Sequence, residues 1–251
     1  MILSSFKTGE QLARDLDTIY AFVPQFKNLS FKSYTELLSM YNIFKNMFNS
    51  LFYASITVLV SLIVNSLAGY ALAKFRFPYK NAILIFIIAL MIVPMESAIL
   101  PLFLVVNKMG LINTLLGYLL PGFVNVMNIF LFRQYFMSFP TELSEAGKID
   151  GLSDIGVFFR IVLPSSAGIY VTVGILTFLA SWNDFLWPVM ALSNPDLMPI
   201  QVALNAIFSD QYNIFKNHIM AALTIVTIPV VLLYAIFQKY IVEGTARSGI
   251  K

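Results

Sequence analysis

Residues 51–73 read LFYASITVLVSLIVNSLAGYALA, and this stretch decides the fold class. It lies inside a longer run without Asp, Glu, Lys or Arg that extends from Lys45 to Lys74. A bilayer core of about 30 Å needs roughly 20 helical residues, so the run is long enough to cross it. Its apolar residues surround the whole circumference of a helix rather than one face, which indicates a helix placed in lipid.

Four further runs of similar length carry no charge or a single one. They lie between Lys80 and Lys108, where Glu96 interrupts, between Lys108 and Arg133, between Arg160 and Asp184, and between Lys216 and Lys239. The sequence therefore predicts an all-α, polytopic membrane protein with five transmembrane helices. The spans are expected at about 49–73, 82–106, 113–137, 165–187 and 218–240.

The composition of the 251 residues agrees with this fold class, because 59% are hydrophobic, 12% are charged and the mean hydropathy is +0.80. Ordinary soluble domains are about 45–50% apolar and about 25% charged, so soluble, disordered and nucleic-acid-binding classes are disfavoured. The absence of cysteine excludes disulfides, thiolate metal sites and cysteine nucleophiles. His218 is the single histidine, and we expect no metal site and no catalytic role there.

Lys and Arg predict the orientation, because they are enriched in cytoplasmic loops. The segments after the first, third and fifth spans hold nine of them, namely Lys74, Arg76, Lys80, Arg133, Lys148, Arg160, Lys239, Arg247 and Lys251. The loops after the second and fourth spans hold two, Lys108 and Lys216. The side with nine is expected to be cytoplasmic, which places the tail 241–251 inside the cell and the N-terminal segment 1–47 outside.

The N-terminal segment 1–47 opens MILSSFKTGEQ and lacks the apolar core of a signal peptide. Its predicted external position therefore needs an explanation. Either a further helix precedes Met1 in the native protein, or the first span inserts with its N-terminus outside. A preceding helix is the favoured expectation.

The loop between the third and fourth spans is too polar for the bilayer and is patterned like a structured element. Residues 138–165 read SFPTELSEAGKIDGLSDIGVFFRIVLPS. Pro140 suits the first turn of a helix, and a carboxylate such as Glu145 is favourable near a helix N-terminus. Lys148 is placed to pair with Glu145 three residues earlier. Gly151 predicts the end of that helix.

A second short helix is predicted to follow, with Ser153 or Asp154 as its N-cap. Its apolar side would consist of Val157, Phe158 and Ile161. The loop 138–164 is thus predicted to form a short helix–turn–helix at the inner membrane face. An ordinary interfacial loop anchored by Phe158 and Phe159 is the alternative.

This loop resembles the EAA loop of ABC-importer permeases. In that pattern Glu-Ala-Ala is followed after three residues by Gly and, after nine more, by Ile-x-Leu-Pro. The matching residues here are Glu145, Ala146, Gly147, Asp150, Gly151, Ile161, Leu163 and Pro164. Gly147 replaces the second alanine, which leaves the spacing intact, and the Asp150-Gly151 pair matches the form found in sugar permeases.

Other segments extend the resemblance over roughly residues 4–251 and are similar to the maltose-type carbohydrate permeases. They are MIVPMESAILPLF at 91–103, GLINTLLGYLLP at 110–121, WNDFLWP at 182–188 and the tail EGTARSGIK at 243–251. The family pattern has six helices. This chain resembles the subunit type without a large periplasmic insertion and without its first helix, through truncation or a miscalled start.

The resemblance implies a transport subunit that is not an enzyme and needs no cofactor or metal. It implies that a cytoplasmic ATPase dimer docks on the EAA helix and that ATP hydrolysis there drives import of a sugar or related polyol. A second homologous permease subunit, a solute-binding protein and membrane lipid are the other implied partners, and nucleic acid is not. ATP would bind another chain, because the Gly147-Lys148 pair lacks the upstream glycine of a phosphate-binding loop.

Polar residues in or beside the predicted spans are the candidates for a solute path. They are Glu96, Asn65, Asn125, Asn128, Asn183 and Asp184. Glu96 would act as a gate residue or as a structural partner of a neighbouring helix. The asparagines within the spans would bind sugar hydroxyls or join helices, and the second role is favoured. Asn183 and Asp184 would contact solute or the binding protein, unless Trp182 and Trp187 make that segment a simple interfacial anchor.

Two rival function classes carry less support. An ion-coupled secondary transporter would use Glu96 as its proton or sodium site, but such proteins usually contain an internal repeat, and none is visible. An intramembrane enzyme would need a matched nucleophile and base within the spans, and the sequence offers no such set.

Overall fold

The computed structural model describes residues 1–15, 18–21, 29–209 and 216–248, which form helices and connecting turns with no strand among them. The α-helices in these ranges are α1 Ile2–Ser5, α2 Gly9–Asp15, α3 Lys32–Met40, α4 Ile43–Lys74, α5 Lys80–Leu90, α6 Met95–Lys108, α7 Leu115–Leu119, α8 Val126–Met137, α9 Thr141–Ile149, α10 Asp154–Val157, α11 Leu163–Ser165, α12 Ala167–Trp182, α13 Leu186–Ala191, α14 Ile200–Ser209 and α15 Lys216–Ser248. Single 3-10 turns occupy Ile19–Ala21, Leu120–Phe123 and Pro195–Leu197. A π-helical turn, Phe158–Val162, joins α10 to α11. Residues 249–251 of the predicted tail lie outside the described ranges.

Three segments in the described part of the chain are long and apolar enough to cross a membrane on their own: α4, Leu115–Met137 and Lys216–Gln238. Two bent helix pairs also qualify when each is taken as one crossing, α5 with α6 and the run from α10 to α11 with α12. The predicted all-α membrane fold is confirmed, with three spanning helices or up to five when the bent pairs are counted.

The second predicted span, 82–106, is a bent pair rather than one straight helix. The axes of α5 and α6 differ by 106° across a short break that ends at Pro94, the N-cap of α6. Proline cannot donate a backbone N–H, and it disfavours helical backbone at the residue before it, Val93. No side chain of α5 and only Val106 of α6 is buried, so this hairpin presents its apolar surface outward.

Two more predicted spans are interrupted. The third, 113–137, contains a 3-10 turn at Leu120–Phe123, where Pro121 removes a donor and Asn125 then starts α8 afresh. The fourth, 165–187, turns by 81° near Ser166 and ends at Trp182, after which α13 begins a separate short helix.

The first span is longer than the sequence predicts. α4 begins at Ile43, so the predicted boundary at residue 47 falls inside a helix. Its 32 residues rise about 48 Å and exceed the hydrocarbon core of about 30 Å, which places at least one end outside the lipid.

The helices α1 to α3, which we call the N-terminal cap, fold against the first turns of α15. Leu37 of α3 is fully buried in a cluster with Ile43, Ile207, Ala221 and Ala222. Within the described ranges, the segment that the sequence assigns to the outside is therefore a packed structure rather than an extended tail.

The loops gather at two ends of the helix bundle, and α4 connects them. At its start, Ser50 Oγ accepts a hydrogen bond from the Ile200 N–H at 2.8 Å. At its finish, Lys74 Nζ donates to the Phe139 carbonyl at 2.7 Å, beside α9. We call these the Asn113 end, because Asn113 Oδ1 accepts from the backbone N–H groups of residues 193 and 194 there, and the α9 end.

Candidate functional site

The predicted helix of the polar loop is α9, and its end is closed by a complete backbone motif. The N–H of Leu152 donates to the carbonyl of Gly147, and the N–H of Gly151 donates to the carbonyl of Lys148, each at 3.0 Å. Gly151 has φ +84°, the left-handed conformation that closes such a C-terminus. The predicted helix stop at Gly151 is confirmed.

A second helical segment then folds back over α9. Ser153 is its N-cap, with Oγ accepting a hydrogen bond from the Gly156 N–H at 3.2 Å, so the first of the two predicted caps is the correct one. The segment continues through the π-helical turn Phe158–Val162 and α11 to the elbow at Ser166. Two helices of the loop are thus joined by the Gly151 turn, as the sequence predicts.

Gly147 allows these two helices to approach closely. A Cβ at this position would lie 2.5 Å from Cδ1 of Ile161 and 3.3 Å from Cγ2 of Val157. Gly147 is buried against them, whereas the two preceding motif residues, Glu145 and Ala146, are exposed. The glycine that departs from the family pattern therefore has a packing role within the loop.

The predicted pairing of Lys148 with Glu145 is wrong. Lys148 Nζ instead lies 2.6 Å from Oδ1 of Asp154, because the Gly151 turn brings the second helix over the end of α9. The hydrogen bond with Asp154 and the negative charge of that carboxylate raise the pKa of Lys148. Both side chains are about half exposed, so solvent screens the pair and its contribution to stability is small.

Phe158 attaches the loop to the transmembrane helices. It is 1% exposed and packs against Tyr70 of α4 and Phe136 of α8, with ring centroids 5.1 Å and 6.3 Å away. Tyr70 and Phe136 meet edge to face at 5.6 Å. The alternative of an ordinary interfacial loop anchored by Phe158 and Phe159 is therefore wrong for Phe158, which is buried in the protein, while Phe159 is exposed. Phe158 therefore links the second helical segment of the loop to α4 and α8 through close aromatic packing.

The outer surface of the loop combines acidic and apolar side chains. Glu145 and Asp150 are exposed there, and so are two large apolar residues, Ile149 at 86% and Ile155 at 67%. Sequence reasoning missed both isoleucines, although Ile149 is unusual as an apolar residue beside the polar helix end. Of the other motif residues, Ile161 and Leu163 are half-buried and Pro164 is exposed. We call this exposed area of α9 and α10 the loop surface.

Two of the solute-path candidates, Asn65 and Asn128, form a buried hydrogen-bonded network, which the backbone of a third, Asn125, joins. Asn128 Nδ2 donates to Thr177 Oγ1 at 2.9 Å and to Ser61 Oγ at 3.3 Å, and so links α8 to α12 and α4. Asn65 Nδ2 donates to Ser61 Oγ at 2.6 Å, and Asn65 Oδ1 accepts from the Asn125 N–H at 3.0 Å. Asn65 is fully buried and Asn128 is 5% exposed. This arrangement favours the role of joining helices over direct contact with a solute.

The network also satisfies backbone groups at the break in the third predicted span. Asn65 Nδ2 donates to the carbonyl of Phe123, which the interrupted helix leaves without its usual partner, at 3.1 Å. Asn125 caps α8, with its Oδ1 accepting from the Asn128 N–H at 3.1 Å. The side chain of Asn125 is otherwise exposed.

Asn183 and Asp184 lie together at the Asn113 end, away from this network. Asn183 Nδ2 donates to the Leu179 carbonyl at 2.8 Å, and Asp184 Oδ1 accepts from the Trp187 N–H at 3.4 Å. The interfacial role considered for the two tryptophans is wrong, because both are buried in the protein. Trp182 is 1% exposed, and Trp187 is 5% exposed and donates its Nε1–H to the Tyr118 carbonyl at 3.0 Å.

Glu96 stands apart from the other candidates. It lies in the first turn of α6, just after the break at Pro94, and is exposed. The described part of the chain offers it no hydrogen bond or ion pair. A carboxylate at the α6 N-terminus interacts favourably with the helix dipole. This interaction accounts for the presence of Glu96 at this position without a role in transport.

His218 has a carboxylate neighbour that the sequence did not reveal. Its Nε2 lies 2.9 Å from Oε2 of Glu36 in α3, and the ring is 2% exposed. The hydrogen bond with His218 lowers the pKa of Glu36. Among the described residues, no group of three or more His, Cys, Asp or Glu side chains could hold a metal ion. The pair instead joins the N-terminal cap to the start of α15.

The resemblance drawn from the sequence is confirmed by comparison with known proteins. A family described as the binding-protein-dependent transport system inner membrane component matches residues 65–247. The chain belongs to this family. It is therefore a transport subunit, a multi-pass protein of the cell membrane. Permeases of this kind work with a separate ATPase and with a binding protein.

The relatives of this permease share most of its length. The arabinooligosaccharides transport system permease protein AraQ of Halalkalibacterium halodurans is 31% identical over 252 residues, covering 100% of this chain and 89% of that protein. The lactose transport system permease protein LacG of Rhizobium radiobacter is 32% identical over 200 residues, covering 80% of this chain and 73% of that protein. A crystal structure of a bacterial ABC transporter involved in the import of the acidic polysaccharide alginate matches with a TM-score of 0.84 and 25% identity, covering 95% and 88%.

Proposed function

We propose that this permease is one of two homologous membrane subunits of an ABC importer that moves a sugar or related polyol across the cytoplasmic membrane. The names of its relatives support a carbohydrate, since they include permeases for arabinooligosaccharides and lactose. A solute-binding protein would deliver the sugar at the Asn113 end. The α9 end and the C-terminal tail would face the cytoplasm, in agreement with the Lys and Arg distribution.

The observation that carries this proposal is the packing of a loop with an exposed short helix against two transmembrane helices. The loop surface offers Glu145 as a charged anchor, with Ile149 and Ile155 as apolar contacts. Phe158 links this loop to α4 and α8 through aromatic packing, so a movement of the loop would be passed on to those two helices. We infer that a cytoplasmic ATPase dimer docks here, and that Gly147, Gly151 and the residues from Ile161 to Pro164 hold the docking helix in place.

ATP-driven uptake in proteoliposomes tests this function. The full complex, reconstituted with its ATPase, partner permease and binding protein, should accumulate labelled arabinooligosaccharides only with ATP inside. Glu145→Lys should reduce uptake at least tenfold and weaken ATPase binding, whereas Glu10→Lys, a charge reversal at another exposed position, in α2, should leave both unchanged. Uptake that persists without ATP, or that survives Glu145→Lys undiminished, contradicts the proposal.

A further inference from the structure

A cluster of positive side chains lies at the α9 end beside the α4–α5 turn. Arg76 and Lys80 line a shallow, open pocket of about 340 Å³ together with Phe77 and Tyr79, and we call this pocket the cationic cavity. Arg133 of α8 does not line this cavity but lies beside it, because α8 packs against both α4 and α5. The backbone N of Arg133 is 2.9 Å from the point where a Cβ on Gly69 of α4 would lie, near the end of that helix. Three cations therefore converge where the chain leaves α4 and enters α5.

These three charges have no acidic partner in the described part of the chain. The ion pairs found there within 4.0 Å involve other residues. The sequence between Lys74 and Glu96 contains no Asp or Glu. Lys80 Nζ donates to the carbonyls of Ala73 and Phe75, at 3.2 Å and 2.9 Å, which positions the ammonium group without neutralising it.

Arg133 contains a buried hydrogen-bond donor that has no acceptor among the described residues. Its Nε is buried and makes no hydrogen bond to any described group, although a buried guanidinium N–H is costly to leave unpaired. Arginine prefers the paired oxygens of carboxylate and phosphate groups. An anion with several oxygen atoms at this cluster would offset the mutual repulsion of the cations, including the charge of Arg133.

The surroundings of the cavity combine exposed polar and apolar side chains, a mixture that suits a membrane surface. Asn81 and Ala82, in the first turn of α5, also line it, and the same helix then exposes Ile85 at 68% and Phe86 at 64%. Tyr79 is 81% exposed at the rim and takes φ +63°, which turns the chain sharply from α4 into α5. Aromatic residues are favoured at this depth, where headgroups meet acyl chains.

We propose that the cluster of Arg76, Lys80 and Arg133 binds the phosphate of an anionic phospholipid, whose acyl chains lie along the exposed face of α5. Basic pockets between transmembrane helices on the cytoplasmic side commonly hold such headgroups. The continuous path from a cationic cavity to an apolar helix face fits a lipid better than a soluble phosphate, which would use only the cavity. The bound lipid would fix the bent α5–α6 pair, which has little packing of its own, against α8.

Lipid binding to the purified full chain tests this proposal. Native mass spectrometry would follow titration with palmitoyl-oleoyl phosphatidylglycerol, and with the zwitterionic phosphatidylcholine of the same acyl chains as the reference lipid. The native chain should prefer phosphatidylglycerol. Arg76→Gln and Arg133→Gln should each weaken its binding about fivefold, and the double variant more, while phosphatidylcholine binding stays unchanged.

Three controls keep the experiment decisive. Arg76→Lys preserves the charge and should restore most of the binding, which separates charge from misfolding. Arg160→Gln removes an exposed charge from the same end of the bundle, outside the cluster, and should have no effect. Inorganic phosphate at millimolar concentration should not compete, because it lacks the acyl chains.

Several outcomes would overturn the proposal. One is phosphatidylglycerol binding that stays within twofold of native in the Arg76→Gln, Arg133→Gln double variant. An equal loss in Arg160→Gln would show only general attraction to a basic surface. Competition by inorganic phosphate would indicate a soluble anion, and loss of ATPase binding with unchanged lipid binding would assign the cluster to the protein partner.

Discussion

Gly151 occupies a backbone conformation that other residues adopt only with strain. Its φ is +84°, and a Cβ there would meet no atom within 4 Å, so the strain in a variant is purely conformational. We expect Gly151→Ala to cost about 1–2 kcal/mol of folding free energy and to reduce ATP-driven uptake by loosening the end of α9. Thermal unfolding of the purified chain measures the first effect and proteoliposome uptake the second.

The matched control for this prediction is Gly156→Ala. Gly156 lies in helical backbone within α10, and the nearest atom to its Cβ would be 3.4 Å away. Alanine is favoured over glycine in a helix, so this change should leave stability unchanged or raise it slightly. Equal destabilisation by both changes would show that the left-handed turn is not the cause.

Gly147 offers a test of packing between α9 and the helix that covers it. The Cβ of Gly147→Ala would come 2.5 Å from the end of the Ile161 side chain, which must then shift. We expect a cost of about 1 kcal/mol, most of which Ile161→Val should recover in the double variant. A double-mutant cycle by thermal unfolding measures this coupling, and strictly additive effects would contradict the contact.

At the residue scale, the sequence predicted correctly those features that depend on local backbone conformation. Gly151 and Ser153 were predictable because turn and cap preferences depend on a few neighbouring residues. The partner of Lys148 was not, because Asp154 comes within reach only after the Gly151 turn has folded. Glu36 and His218 are 182 residues apart, and no periodicity signals such a pair.

At the scale of elements, the Asn128 network joins α4, α8 and α12. Asn128→Leu would leave Ser61 and Thr177 without this partner, and we expect a loss of about 1–2 kcal/mol in stability. If the network only joins helices, the sugar concentration for half-maximal uptake should stay unchanged. Asn205→Leu, at an exposed position of α14, is the control and should affect neither quantity. A selective change in sugar preference would instead place Asn128 in the solute path.

The contact between the N-terminal cap and α15 should respond to acid. Because the pKa of Glu36 is lowered from its usual 4.5 in the folded protein, its stabilising effect is present above pH 4.5 and is lost as the pH falls through the folded value. Acidification from about pH 7 to about pH 3 should therefore lower the thermal midpoint of the native chain more than that of Glu36→Gln. The exposed Glu10→Gln should behave like the native chain, and parallel curves for all three would contradict a role for the pair.

Helix existence was more predictable than helix continuity. Charge-free runs located the apolar segments because length and composition suffice to indicate a membrane helix. The bend before α6 and the break at Leu120–Phe123 depend on whether neighbours can satisfy the backbone groups that proline frees. Pro101 lies within α6 without interrupting it, so proline alone does not decide the matter.

At the scale of the whole molecule, the two ends of the bundle should be reachable from opposite sides of the membrane. The chain has no cysteine, so single cysteines can be introduced without background. In intact cells that lack the ATPase subunit, a membrane-impermeant maleimide should label Asp196→Cys at the Asn113 end and spare Ile149→Cys, which should react only after permeabilisation. The reverse pattern would invert the proposed orientation, and labelling of both in intact cells would contradict it.

The overall architecture followed from the sequence through two independent signals, apolar runs and the spacing of one loop. The packed N-terminal cap and the cationic cavity did not, because each depends on which helices become neighbours. Arg76 and Lys80 entered the sequence argument only as loop charges, and Arg133 belonged to a different loop. Their convergence is a property of the folded bundle.

The polar network within α4 also has a consequence for the order of events during synthesis. Asn65 enters the membrane well before its partners, since the Phe123 carbonyl lies 58 residues later and the Asn125 N–H lies 60 residues later. A nascent chain ending before residue 120 would hold Ser61 and Asn65 in the bilayer with only each other as partners. We therefore expect α4 to remain beside the insertion machinery until α8 arrives, and ribosome-stalled chains of increasing length should release from it only beyond that point.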